Sequence, residues 1–195
     1  MTLGTIVALF ADVHGEHANL RRALARCREE GVSTIALLGD LVDRTEQADA
    51  CAVPLVGWHV VGVYGNHERE IALAAATGRV ELHADTLRLL GGLAGRVVID
   101  DVSFLHEAEH WGHGATLARL MPAAGAHGAP VDARITFAGH THVRQARDER
   151  GPIDIARGRL TLDPRRRYLI NPGALAIGQY AVWNRTTQIV HFHQV

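Results

Sequence analysis

The first hundred residues alternate short, unbroken apolar runs with stretches of helical periodicity. Thr5 to Ala11 is one such run, Thr34 to Leu38 a second and Val60 to Tyr64 a third. Continuous runs of this length fit strands buried on both faces, as in parallel sheets. Between the first two, Glu16 to Glu30 places Leu20, Leu24 and Cys27 at helical spacing, with arginines on the other face and Gly31 as a stop. Cys27 is thereby assigned to the core. A short helical segment around Ala48 to Val56 precedes the third run, and another helical stretch follows it. The pattern predicts three successive strand, loop, helix units.

Ala84 to Leu93 reads as a further helix with Leu87 and Leu90 on one face, weakened at its end by Gly91 and Gly92. Arg96 to Ile99 and Val102 to Leu105 flank Asp100-Asp101 and predict an antiparallel hairpin. A stretch rich in His, Gly and Ala runs from there to Pro130, with one short helix expected at Thr116 to Met121. Ile135 to Ala138, Tyr168 to Ile170, Tyr180 to Trp183 and Gln188 to Phe192 read as strands, the last two turning at Asn184-Arg185. In the charged region before Tyr168, hairpin strands are expected near Ile153 to Ile155 and Arg159 to Leu162, with most of the arginines solvated. The second half is therefore β-rich, and 195 residues make a single domain, 1–195, the natural expectation.

Composition narrows the functional classes. With 20 basic and 21 acidic residues the chain has no overall field for nucleic acid or membrane. Two cysteines, Cys27 and Cys51, lack zinc-type spacing and are too few for a disulfide framework, so a reduced, cytoplasmic protein is expected. The N-terminus has no basic region and reads as a strand, not a signal peptide, and no apolar run approaches a membrane span. The 13 histidines are the one oddity, because imidazole is the commonest metal ligand.

Those histidines gather where strands end. Three units finish in DVH (Asp12 to His14), GDLVDR (Gly39 to Arg44) and GNHERE (Gly65 to Glu70), and the strand at Ile135 to Ala138 finishes in GHTH (Gly139 to His142). In an extended chain, alternation would put Asp12 and His14 on one face, and His140 and His142 likewise. With His106 at the end of its own strand, the strand-end set is Asp12, His14, Asp40, Asn66, His106, His140 and His142. Oxygen and imidazole donors without thiolate suit manganese, iron, zinc or nickel. Seven donors are too many for one ordinary ion but suit two ions sharing Asp40. Two metals roughly 3.5 to 4 Å apart polarise a phosphoryl group and activate a water, which predicts phosphate-ester hydrolysis. His17, in the first helical turn, is read as solvent-facing or at the substrate rim, not as a ligand, and His191 and His193 as structural or exposed.

DVHG, GDLVDR, GNHE and GHTH, in this order, resemble the calcineurin-like metallophosphoesterase superfamily, from residue 4 to about residue 193. The small size, GHTHV, INPGALA and YAVW are similar to the compact bacterial and archaeal phosphodiesterase branch. VDR and GNHE are similar to the phosphoprotein phosphatase and bis(5′-nucleosyl)-tetraphosphatase branch. The resemblance implies a four-layer αββα sandwich of two mixed β-sheets flanked by helices. It also implies two divalent ions, with manganese expected, and a metal-activated bridging hydroxide as nucleophile. By this resemblance Asp12, His14 and His142 hold the first metal, Asn66, His106 and His140 the second, and Asp40 bridges. His67 is the implied general acid, Asp43 orients it, Arg44 grips phosphate, and Glu68 helps position its motif.

Three positions depart from the pattern. Thr45 stands where the phosphatase branch has glycine. Glu107 follows His106 where the small esterases have glycine, which leaves His110 and His113 as alternative ligands. The stretch from His110 to Pro130 has no family counterpart and is expected to shape substrate entry.

The expected substrates are phosphodiesters or nucleotide-type phosphate esters, including nucleic-acid ends. Phosphoprotein or dinucleoside polyphosphate is the alternative, motivated by Arg44. A non-catalytic interaction scaffold on the same fold competes with both, although a retained His67 argues against it. Metal storage is a third class, but the eight histidines beyond the assigned five form no tract.

Overall fold

A computed structural model of the chain describes residues 2–107 and 133–195. Strands β1 (Ile6–Phe10), β2 (Thr34–Leu38) and β3 (Val60–Val63) form the expected parallel set, with helix α1 (His17–Glu29) after the first. Helices α2 (Ala48–Ala52), α3 (Asn66–Ala76) and α4 (Ala84–Gly92) follow, α2 passing into a 3-10 turn at Val53–Leu55. The hairpin β4 (Arg96–Ile99) and β5 (Val102–Leu105) is as expected, and β6 (Ile135–Ala138) matches its apolar run. The remaining strands are β7 (Gln145–Asp148), β8 (Gly151–Ile153), β9 (Arg159–Thr161), β10 (Tyr168–Asn171), β11 (Gln179–Asn184) and β12 (Ile189–Gln194). The helix expected at Thr116 to Met121 lies outside the described residues.

Two six-stranded mixed sheets, ordered β3-β2-β1-β11-β12-β9 and β4-β5-β6-β10-β7-β8, pack face to face and are flanked by helices, the αββα sandwich class expected. Every residue of β2 is buried because both of its faces are covered. Along β1 the burial divides by parity. Val7 and Leu9 join Phe104, Phe137, Ile170 and Trp183 in the core between the sheets. Ala8 and Phe10 face outward into a second cluster with Leu20, Leu24 and Cys27 of α1, Ile71 of α3 and Leu90 of α4. Phe137 ties the inner core together, its ring centroid 5.8 Å from that of Phe104 and 5.3 Å from that of Trp183.

One expectation is corrected. The segments near Ile153 and Arg159 do not pair as a hairpin: β8 pairs antiparallel with β7, whereas β9 crosses to the other sheet and pairs with β12. Leu160 and Leu162 contribute to the core between the sheets, so the apolar positions of this segment are satisfied against β12 and not against β8. No helix among the described residues is long and apolar enough to cross a membrane.

Candidate metal centre

β1, β2 and β3 run parallel in one sheet, and β5 and β6 run parallel in the other. Their carboxyl ends meet at one rim, where open α/β sheets place ligands. The loops there are laced to one another. Asp12 N–H donates to Gly39 O at 3.1 Å, His14 N–H to Asp40 O at 3.0 Å, and Gly15 N–H to Leu41 O at 3.0 Å. Leu175 N–H donates to Ala11 O at 2.8 Å, which brings the NPGALA loop against the DVH loop.

Among the described residues the donor atoms converge in three overlapping groups, each with its atoms within 4.8 Å of one another: Asp12, His14 and His142; His14, Asp40 and His67; Asp40, His106 and His140. Asn66 opens α3 between two neighbours of Asp40. A Cβ on Gly65 would fall 2.0 Å from Asp40 Oδ1, and His67 N–H donates to that same oxygen at 3.4 Å. His14 Nε2 lies 2.9 Å from His142 Nε2, a spacing of two ring nitrogens suited to a shared cation.

Local backbone geometry differs from the extended alternation the sequence suggests. Asp12, His14, Asp40, His140 and His142 all adopt positive φ, from 48° to 69°. Asp and His are among the few non-glycine residues that tolerate this region, at a cost of about 1 kcal/mol or more each. Left-handed residues turn the chain sharply where β1, β2 and β6 end. These turns, not strand pleating, place Asp12 and His14 in one donor group, whereas His140 and His142 part company, His142 joining Asp12 and His14 and His140 joining Asp40 and His106.

Electrostatics favour a cation. Asp12 is fully buried, and although His140 N–H donates to its Oδ1 at 2.9 Å, its Oδ2 has no hydrogen-bond partner among the described residues. Burial pushes its carboxyl above the usual range, against the opposing pull of His140 and the nearby imidazoles. A buried carboxylate oxygen without a donor is costly unless a charge compensates it, and a metal ion fits that need. Burial would also raise Asp40, but hydrogen bonding and charge from His106 hold it below its ordinary value. Burial would depress the His106 imidazole, and Asp40, with Oδ2 3.1 Å from Nε2, more than reverses this. The donor set of carboxylate and imidazole thus fits divalent ions.

Glu68 is the buried clamp of the site. Its Oε2 accepts from Asp40 N–H at 2.9 Å and Gly65 N–H at 2.7 Å, and its Oε1 from Leu41 N–H at 2.7 Å and Val42 N–H at 3.2 Å. Burial pushes its carboxyl up, and the four N–H groups favour its charged form. Asp43 lies between two imidazoles: Oδ1 bonds His14 Nδ1 and is 4.0 Å from His67 Nδ1. The contact with His14 was not foreseen from the sequence, because no spacing along the chain reports it. Asn171 is a second residue that sequence reasoning left without a role. Fully buried as the last residue of β10, it donates to Gly139 O at 2.8 Å and Thr141 Oγ1 at 3.1 Å, holding the GHTH loop. The quoted NPG motif was its one signal.

Arg44 and His67 both line a cavity beside these groups. The alternative ligands His110 and His113, and the stretch from His110 to Pro130, lie outside the described residues. His17 is exposed, and His193 stacks on Tyr180 with centroids 4.9 Å apart, in keeping with a structural role.

Residues 6–192 match the calcineurin-like phosphoesterase superfamily domain. A metallophosphoesterase from Sphaerobacter thermophilus has a similar structure, with a TM-score of 0.74 at 25% identity, covering 100% of this chain and 89% of that one. An archaeal phosphodiesterase shares the fold at a TM-score of 0.58 and 16% identity, over 97% of this chain and 99% of its own. In sequence, an uncharacterized protein of Methanocaldococcus jannaschii is 23% identical over 197 residues, 88% of this chain and 76% of the relative.

Proposed function

Because the chain belongs to the calcineurin-like phosphoesterase superfamily, we propose that it is a dinuclear metal-dependent phosphoesterase acting on phosphodiesters or nucleotide-type phosphate esters. The observation that supports this reading best is the overlap of the three donor groups at His14 and Asp40, with His67 in the middle group that contains both. Asp12, His14 and His142 would hold one ion, Asn66, His106 and His140 the other, and Asp40 both. Manganese is the proposed metal. The bound ions supply Lewis acidity toward the phosphoryl oxygens and an acidified water.

The chain supplies the rest. His67 is one-third exposed on the wall of the cavity, where it gives a proton to the leaving oxygen. General acid catalysis of this kind contributes roughly 10²- to 10⁴-fold. Asp43 holds His14 and supports the charge on His67. Arg44, with its planar fork, grips phosphoryl oxygens. Glu68 contributes by keeping Asp40 and its loop in place. A single domain over residues 1–195, working in the cytoplasm where the free, buried Cys27 and Cys51 stay reduced, completes the reading.

Arg44 on the cavity wall favours a second reading, a dinucleoside polyphosphate or phosphoprotein phosphatase. A structure of a putative diadenosine tetraphosphatase shares the fold at a TM-score of 0.52, with 16% identity. The test is manganese-dependent turnover of bis-p-nitrophenyl phosphate and p-nitrophenyl phosphate by the wild type and His67→Ala. Diester turnover by the wild type, with loss in the variant while metal is retained, is the expected result. Absence of turnover of any phosphate ester with two metals bound would turn the reading toward a non-catalytic scaffold.

A further inference from the structure

A cavity of about 500 Å³ opens beside His67, and none of the other metal-binding groups lines it. One wall is a single face of α3. His67, Glu70, Ile71 and Ala74 fall at positions i, i+3, i+4 and i+7, a stripe about 10 Å long. Arg44, also on the wall, follows Asp43, whose Oδ1 is 4.0 Å from His67 Nδ1, which puts it at the His67 end. At the far end, Arg79 N–H donates to Ala74 O at 2.9 Å, which folds the chain back across the end of the helix and sets Arg79 on the wall. Among the described residues, Arg79 has no ion-pair partner. Leu73, also on the wall, leaves 61% of its surface exposed.

The lining therefore offers three kinds of contact at once. Two guanidiniums stand at opposite ends, an apolar surface of Leu73 and Ala74, floored by the buried Ile71, lies between them, and Glu46 and Glu70 supply hydrogen-bond acceptors. A simple alcohol or phenol uses only the apolar surface. A group carrying its own phosphate, a flat ring, and hydroxyl or amino donors uses all three.

Resting on the phosphoesterase reading above, we propose that this cavity is the leaving-group subsite, that it selects a nucleoside phosphate, and that Arg79 is its specificity-determining residue. In hydrolysis the water oxygen bonds to phosphorus and the bond from phosphorus to the leaving oxygen breaks, its electron pair staying on that oxygen. His67 transfers a proton to it, and the water releases a proton in turn. Since His67 lies at the inner end of the stripe, the departing group extends along α3. Its own phosphate reaches Arg79, its ring covers Leu73 and Ala74, and its hydroxyl or amino groups meet the carboxylates. The substrate is then a nucleotide-linked diester or polyphosphate.

Two measurements on the manganese-loaded protein test this. Equilibrium dialysis of ADP against the wild type, Arg79→Ala and Arg79→Lys reads the subsite without turnover. Loss of a charge-assisted contact predicts about tenfold or more weaker binding in Arg79→Ala, with partial recovery in Arg79→Lys. In turnover, kcat/KM for diadenosine tetraphosphate relative to bis-p-nitrophenyl phosphate should fall by a similar factor in Arg79→Ala, through KM. Equal ADP binding by the wild type and Arg79→Ala, or none by the wild type, overturns the subsite. If neither ester is hydrolysed, the phosphoesterase reading fails on its own, and dialysis still decides the subsite.

Discussion

His106 Nδ1 lies 2.8 Å from the carbonyl oxygen of Leu38, joining the end of β5 in one sheet to the end of β2 in the other. The bond assigns the proton to Nδ1 and leaves Nε2 facing Asp40 Oδ2, in the tautomer a metal ligand needs. Metal content therefore depends on this histidine. After dialysis in manganese, the wild type should retain two equivalents by elemental analysis and His106→Gln one. Two equivalents in the variant would transfer the role to His110 or His113.

Glu68 supports a prediction about stability. Glu68→Ala leaves four buried N–H groups, at Asp40, Leu41, Val42 and Gly65, without their acceptor. Each such loss costs roughly 1 to 3 kcal/mol, reduced where water enters, so the variant should be less stable by about 3 kcal/mol or more. Urea unfolding of the metal-free protein measures this. A change below about 1 kcal/mol would mean that Glu68 is not the clamp.

Gly65→Ala probes the closest approach in the site. The new Cβ would meet Asp40 Oδ1 at 2.0 Å and Asp40 N at 2.6 Å, so the carboxylate must move. Circular dichroism should report a retained fold, and calorimetric titration should show manganese affinity falling by about tenfold or more, in line with disturbed ligand positioning. Wild-type affinity in this variant would remove Asp40 from the centre.

His193 carries a pH dependence away from the site. Burial lowers its imidazole below the ordinary 6.5, outweighing the attraction of Glu30. As pH falls through 6.5 the unfolded chain takes up this proton before the folded chain does. The folded state is disfavoured in proportion, so stability is lost toward acid and is greatest above 6.5. Denaturation of the metal-free protein from pH 7.5 to 5 should show a shallower loss for His193→Gln than for the wild type. Parallel curves would mean that the proton is taken up equally in both states.

The sequence by itself determined most of the strands, though not β7, and the polar residues that stand at their ends. Continuous apolar runs reported β1, β2 and β6 because burial on both faces removes any need for polar alternation. Asp12, Asp40 and His140 were legible because each follows such a run within two residues. Only the tertiary structure decided how the runs assemble. Nothing in the periodicity of Arg159 to Leu162 says that β9 joins β12 and not β8, since both partners offer an edge. The clamp of Glu68, the Asn171 brace and the contact between Asp43 and His14 join residues far apart in sequence, so local patterns carry no record of them. The left-handed backbone at five of the ligand-type positions follows the same division. Asp and His permit that conformation, and the packing of the loops at the sheet rim imposes it.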